Sequence, residues 1–318
     1  MSKKIIISLS LGAFSALVAY LWLKPEINKK PALAILTTLS HPALTAVSDA
    51  FKKQFENIDF LEYNAEGSAQ SANLIAKQIA QNSRVLGVLA IGTLAAQSIT
   101  KAEKRLPIVI AAVSDTEIIT QDKNNTNICG LTDSINASYQ IEKIKNMFPE
   151  LKKLAILYTP HEANSASMVK MLESQAREQN LDLEIIGVYE TQQIASASLR
   201  ACEKNDALLI TLDNQLVASM PAVIKITKNK PCAVITSNES PIHQGASVAF
   251  GIDYYKSGEE AAKIMKEILV DKKNPQDMKF IHPQKLEIYV NNLVIKQKNI
   301  KFNLSDNMKI INGEHDEK

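Results

Sequence analysis

The run Val85-Leu86-Gly87-Val88-Leu89-Ala90-Ile91-Gly92-Thr93 reads as a strand that hands over to a helix at Gly92-Thr93. A half-exposed strand alternates apolar and polar residues. An unbroken apolar run of this length instead marks a parallel strand covered by helices on both faces. Upstream, residues 32–36 form a similar run. Ser40-His41-Pro42 then gives a helix-start signal, followed by Leu44, Val47, Phe51 and Phe55 at helical spacing. Residues 59–63 are a further strand. Beyond the polar loop 64–68, a helix shows the face Ala72, Ile75, Ala76, Ile79 and Ala80.

Downstream, Pro107 introduces a strand at 108–113, and the pattern continues. Helices are expected at 135–148, 164–179, 216–227 and 255–269. Strands are expected at 154–158, 183–188, 207–211, 232–235, 248–250 and 286–290, with the last twenty residues polar and frayed. Alternation of this kind predicts an α/β fold with parallel sheets and right-handed crossovers. About 280 residues beyond the N-terminal segment are enough for two such sheets.

Composition narrows the function. A hydrophobic content of 46% with 22% charged residues is ordinary for a globular core. A net charge of +2, with lysines and carboxylates interspersed, argues against nucleic acid as a partner. Three cysteines, Cys129, Cys202 and Cys232, lie far apart with no CxxC or Cys/His cluster. No structural zinc site is expected, and buried, unpaired core cysteines are the preferred reading over one bridging pair.

Lys3 and Lys4 precede an uncharged apolar run at 5–23, with Trp22 near its far end. As a helix the run spans about 28 Å, close to the hydrocarbon thickness of a bilayer. A cleaved signal would carry a shorter apolar core and a small-residue cleavage site, whereas Leu17-Val18-Ala19 lies inside the run. An uncleaved signal anchor is therefore preferred to a signal peptide. With no cysteine in this region there is no lipid attachment site. Either way the bulk of the chain is exported.

In open α/β sheets, ligands bind beyond the carboxyl ends of the strands. The loops there carry Ser40-His41, Glu66-Gly67-Ser68, Gly92-Thr93, Ser114-Asp115, residues 159–165, Asp213-Asn214, Ser237-Asn238-Glu239 and Asp253-Tyr254-Tyr255. Hydroxyls at helix N-termini suit an anionic group on a solute, and an aspartate opposite suits an ammonium. Ser40, Thr93, Ser114 and Asn164 are equally the residue types that cap helices without any ligand. His41 is read as an exposed loop residue, with a pH-sensitive or catalytic role as the alternative. Glycine-rich phosphate loops, a GxSxG elbow and an HExxH helix are all missing from the sequence. The set is a vocabulary for gripping a small polar solute without transforming it, and no cofactor, metal or catalytic residue is expected.

Five stretches in order resemble one family: Thr38-Leu39-Ser40-His41-Pro42-Ala43-Leu44, Ala90-Ile91-Gly92-Thr93-Leu94-Ala95-Ala96-Gln97, Tyr158-Thr159-Pro160-His161-Glu162-Ala163-Asn164-Ser165, Leu212-Asp213-Asn214, and Gly251-Ile252-Asp253-Tyr254-Tyr255-Lys256-Ser257-Gly258. They are similar to motifs of the ABC transporter substrate-binding proteins of the tryptophan/tyrosine type, which have the type I periplasmic binding fold. The resemblance covers residues 31–294.

It implies two Rossmann-like lobes joined by three crossings, near 131–135, 248–253 and 274–281. Residues 31–133 and 253–277 would form lobe 1, and residues 134–252 and 278–300 lobe 2. Residues 1–30 would be the anchor or signal with a short linker, and residues 301–318 a polar tail. It further implies Ser40, Thr93, Asn164, Ser165 and Asp213 as ligand contacts, with Ser114, Asp253 and Tyr254 beside them. The implied partners are a small-molecule solute, such as an aromatic amino acid, and the permease and ATPase subunits of an importer. The location would be periplasmic or extracytoplasmic, anchored to the inner membrane through residues 5–23. Ser114-Asp115-Thr116 departs from the family's Thr-Asp-Pro and frees that loop. The rival readings are a membrane-anchored sensory ligand-binding module and a doubly wound α/β enzyme.

Overall fold

The computed structural model describes residues 30–122, 125–282, 286–306 and 308–312. The segment expected to anchor the chain, 5–23, lies outside the described residues. Among the described residues, no helix is long and apolar enough to cross a membrane.

The apolar runs become strands and the amphipathic segments between them become helices. In order these are β1 (Ala32–Thr37), α1 (Pro42–Lys53), β2 (Asp59–Asn64), α2 (Ala69–Gln81), β3 (Val85–Ile91) and α3 (Thr93–Ala102). After them come β4 (Ile108–Val113), α4 (Glu117–Thr120) and β5 (Ile128–Thr132). The five strands pair in parallel in the order β2-β1-β3-β4-β5. Residues of β4 and β5 are buried throughout, as strands covered on both faces must be.

The plan repeats after residue 136 with α5 (Ala137–Met147), β6 (Lys153–Tyr158), α6 (Ala163–Glu178), β7 (Asp182–Gly187) and α7 (Thr191–Lys204). It continues through β8 (Ala207–Ile210), α8 (Asn214–Ala218), α9 (Met220–Thr227), β9 (Ala233–Thr236) and β10 (Val248–Gly251). Last come α10 (Tyr254–Leu269), β11 (Glu287–Asn291), α11 (Asn292–Gln297) and β12 (Met308–Ile311). The second sheet has the order β12-β11-β10-β9-β8-β6-β7. It is parallel except that β11 runs antiparallel to β10.

In both sheets the strand order reverses once, between β1 and β3 in the first and between β6 and β8 in the second. These reversal points are where loops diverge and leave a crevice.

The chain passes between the sheets three times. It does so after β5, between β10 and α10, and between α10 and β11. Helix α10 follows a strand of the second sheet but packs on α1 of the first. That approach is close because Gly258 has no side chain, and a Cβ there would stand 2.3 Å from the Val47 carbonyl oxygen. The first and third crossings are tied together. Thr132 N donates to Ile281 O (2.8 Å), Ile281 N donates to Gly130 O (2.9 Å), and Thr132 Oγ1 and His282 Nδ1 share a hydrogen bond of 2.9 Å.

Four expectations need correction. No strand is expected between 113 and 154, yet β5, which carries Cys129, lies there, its run short and broken by Gly130. The second crossing begins only after Gly251, because Val248–Gly251 is itself a paired strand. The segment expected as a frayed tail contributes β12, which gains its order by pairing with β11. Cys202 and Cys232 are not unpaired core residues but form a disulfide, their Cα atoms 5.2 Å apart, joining α7 to the start of β9. Cys129 is free and buried, and burial pushes its thiol up to about 12.

Candidate functional site

A narrow cavity of about 20 Å³ lies between the carboxyl ends of the two sheets. His41, Leu44, Ala112, Ser114, Asp133 and Tyr254 line it from the first sheet's side, and Asn164, Leu212, Asp213, Asn214, Val217 and Asn238 from the second's. Nearly all sit at or just after the carboxyl ends of strands. His41 follows β1, Ser114 follows β4, Asn164 follows β6, Asp213 follows β8 and Asn238 follows β9.

Asp213, 1% exposed, is held by four donors. Thr159 N donates to Oδ2 (2.6 Å) and Ser165 Oγ to the same oxygen (2.7 Å). Thr159 Oγ1 (3.0 Å) and Leu216 N (2.9 Å) donate to Oδ1, the latter capping α8. Asp133 is the second buried carboxylate. Ser114 Oγ donates to one of its oxygens and the Tyr254 hydroxyl to the other, each at 2.9 Å. Burial raises the pKa of Asp133, partly opposed by these two donors. Burial likewise raises that of Tyr254, with the Asp133 charge adding to it.

Behind this layer stands Glu162, just ahead of α6. Asn214 N (3.0 Å), Asn214 Nδ2 (2.7 Å) and Gln215 N (2.8 Å) all donate to its carboxylate. Burial, and next the charge of Asp213, raise its pKa to about 7. His41 is buried, at 7% exposure, rather than exposed as the sequence reading had it. Burial lowers its pKa to about 4, so the ring is neutral near pH 7. Its Nε2 lies 3.3 Å from Asn214 Oδ1, among the described residues one of two hydrogen bonds that reach across the cleft away from the crossings. The other runs from Ser167 Oγ in α6 to Asp115 Oδ2 after β4, at 2.9 Å.

Of the eight residues singled out from sequence, Ser114, Asn164, Asp213 and Tyr254 line the cavity. Asn164 Nδ2 donates to Leu212 O at 2.6 Å, fixing the loop that carries Asp213. Ser165 is fully buried one layer back, where its hydroxyl holds Asp213. Thr93 is buried at the start of α3, outside the cavity lining. There Thr38 Oγ1 accepts from Ala95 N (3.1 Å), and a Cβ on Gly92 would stand 2.5 Å from that same oxygen. Ser40 is exposed on an outer groove, and Asp253 is exposed, capping α10 through Lys256 N.

The capping alternative fails for Ser40, Thr93, Ser114 and Asn164. The N-caps of their helices are His41, Gly92, Thr116 and Glu162, none with a side-chain cap bond. Of the eight, Asp213 and Asp253 are the ones whose side chains cap a helix, α8 and α10 respectively. Of the remaining polar lining residues, His41, Asn214 and Asn238 stand in the candidate loops without having been singled out as contacts, and Asp133 was missed. The available signal was their adjacency to strand ends, which does not say which neighbour faces inward.

A family described as ABC transporter substrate binding protein matches residues 32–313. The chain belongs to that family. It is the extracytoplasmic solute-binding component of an ABC transporter, and the Cys202–Cys232 disulfide suits an oxidising compartment. A tyrosine-binding protein of Clostridioides difficile is 27% identical over 309 residues, covering 93% of this chain and 88% of the relative. Two solved structures share the fold. One is an ABC domain from Streptococcus pneumonia in complex with L-Trp, with a TM-score of 0.81 and 22% identity over 89% of this chain and all of that one. The other is the ligand-free, open structure of a substrate-binding protein with adhesive properties from Clostridium difficile. It gives a TM-score of 0.66 and 27% identity, covering 89% of this chain and 99% of that one.

Proposed function

We propose that this substrate-binding protein captures a free amino acid, aromatic like the solutes named for its relatives, between two lobes that close over it, and that it passes the solute on unchanged. The observation that carries the reading is the cavity between the two sheets, lined from both sides by polar strand-end residues and including two buried carboxylates. No lysine or arginine lines it among the described residues. Such a lining favours a guest that carries an ammonium over one that is purely anionic.

The lobes follow the crossings: residues 31–133 with 253–277, and 134–252 with 278–300, the second extended by β12. The tied first and third crossings supply the hinge, and closure about it completes the solute's hydrogen bonds. Two comparisons support a closed arrangement here. The superposition is better on the L-Trp complex than on the open, ligand-free protein, although the latter is the more similar in sequence. The cavity, at about 20 Å³, is also far below the roughly 300–1,000 Å³ typical of ligand sites, so a solute enters only when the lobes part.

In this reading Ser114, Asn164, Asp213 and Tyr254 contact the solute or fix the groups that do, with His41, Asp133, Asn214 and Asn238 beside them. Ser165 acts through Asp213. Residues 5–23 hold the chain at the inner membrane, next to the permease and ATPase it serves. Mass measurement of the mature chain in a membrane fraction tests the anchor.

Calorimetric titration with the standard amino acids tests the capture. L-tyrosine or L-tryptophan should bind at about micromolar affinity or tighter. No heat from any amino acid at about millimolar concentration, a level where about 4 kcal/mol of binding would show, would refute the reading.

A further inference from the structure

The hydrogen-bond network around Asn214 assigns the tautomer of His41. Glu162 accepts from two backbone N–H groups and from one amide nitrogen, so the NH2 of Asn214 faces Glu162. Its Oδ1 therefore faces the His41 ring, which brings Nε2 within 3.3 Å. An amide oxygen accepts, so Nε2 carries the proton. Because the ring is neutral, Nδ1 then holds a lone pair and can only accept.

That Nδ1 is buried and has no hydrogen-bond partner in the protein. Among the residues lining the cavity, it is the one buried side-chain polar atom left in that condition. The buried carboxylates, by contrast, have partners: each oxygen of Asp133 receives a hydroxyl, and each oxygen of Asp213 receives two donors. A buried acceptor without a donor is disfavoured, and a guest that supplies one is favoured over a guest that does not.

Resting on the amino-acid reading above, we infer that His41 selects the solute by accepting a hydrogen bond at Nδ1 from its α-ammonium group. Glu162 acts at one remove as a positioning residue, since it turns the Asn214 amide and so the imidazole. The buried carboxylates add a charge that an ammonium neutralises and a neutral or anionic head group does not.

The test uses the full chain at pH 8 and two ligands, L-tyrosine and 3-(4-hydroxyphenyl)propionate, which differ by the ammonium. L-tryptophan and indole-3-propionate serve as a second pair. His41→Gln keeps a group near Nε2 and removes the acceptor at Nδ1. It should weaken the amino acid on the order of tenfold to a hundredfold and leave the des-amino ligand unchanged. His41→Asn puts an oxygen where Nδ1 stands and should retain most of the wild-type affinity.

Equal weakening of both ligands by His41→Gln would overturn the inference. So would a folded His41→Asn variant no better than His41→Gln. Nitrogen NMR of the imidazole supplies a readout independent of any ligand. A protonated Nε2 supports the inference, and a protonated Nδ1 overturns it while leaving the amino-acid reading intact. A wild-type chain that binds no amino acid overturns both.

Discussion

Glu162 and His41 should pull the pH dependence of stability in opposite directions, and single substitutions should separate them. Glu162 has a folded pKa of about 7 against the usual 4.5, raised chiefly by burial and then by Asp213. The folded state therefore holds its proton more tightly than the unfolded chain does. Its contribution is fully present below pH 4.5 and is lost as pH rises through 7. His41 is depressed from 6.5 to about 4 by burial. The unfolded chain binds that proton more tightly, so its contribution is present above pH 6.5 and lost as pH falls through 4.

Each difference between folded and unfolded pKa is worth roughly 3 kcal/mol at most. Glu162→Gln removes the falling slope. Its unfolding free energy relative to wild type should therefore rise by roughly 3 kcal/mol between pH 4.5 and pH 7.5. The lost acceptor costs about 1 kcal/mol at all pH values, so the variant is slightly weaker in acid and stronger at neutral pH. His41→Asn should do the reverse, gaining on wild type as pH falls from 6.5 towards 4. Urea titrations at half-unit pH steps, with and without each substitution, give the difference curves. Parallel curves for Glu162→Gln and wild type across this range would refute the reasoning. They would mean that the carboxylate is no less solvated in the folded state than in the unfolded chain.

Three further outcomes follow from other parts of the molecule. Gly258→Ala places a methyl 2.3 Å from Val47 O and 2.8 Å from Ala50 Cβ, so α10 must lift from α1. A loss of about 1–3 kcal/mol in unfolding free energy is expected, read from the urea midpoint. The Cys202–Cys232 link closes a loop with a sequence separation of 30. Replacing both cysteines by serine should cost about 3–4 kcal/mol, while thiol counting on the wild-type chain should find Cys129 alone. Asp213→Asn removes the charge that helps raise Glu162, so the Glu162 pKa should move down from about 7 in a carbon NMR titration. An unchanged value would show that burial acts alone.

Much of the fold was legible because burial on both faces leaves its mark in unbroken runs such as residues 207–210 and 85–91, and because α10 carries a strong apolar stripe. What was missed depended on partners distant in sequence. β12 is four residues in a polar tail and exists through its pairing with β11. β5 is a short run interrupted by Gly130, and its neighbour β4 makes it a strand. The Cys202–Cys232 pairing joins a helix to a strand start that no spacing rule brings together.

The site shows the same division. Strand-end loops could be named from sequence, yet the turn into α1 buries His41 and leaves its neighbour Ser40 outside. Asp213 reads as a ligand contact from sequence, while its four protein donors, which tie β6 and α6 to the loop lining the cavity, become visible only in the fold.

Small-angle scattering of the chain with and without L-tyrosine or L-tryptophan asks the central question in a single comparison. The lobes should be parted in the free protein, and a saturating amino acid should lower the radius of gyration towards that of the narrow-cavity arrangement. An unchanged radius, with the amino acid bound by calorimetry, would contradict capture by closing lobes.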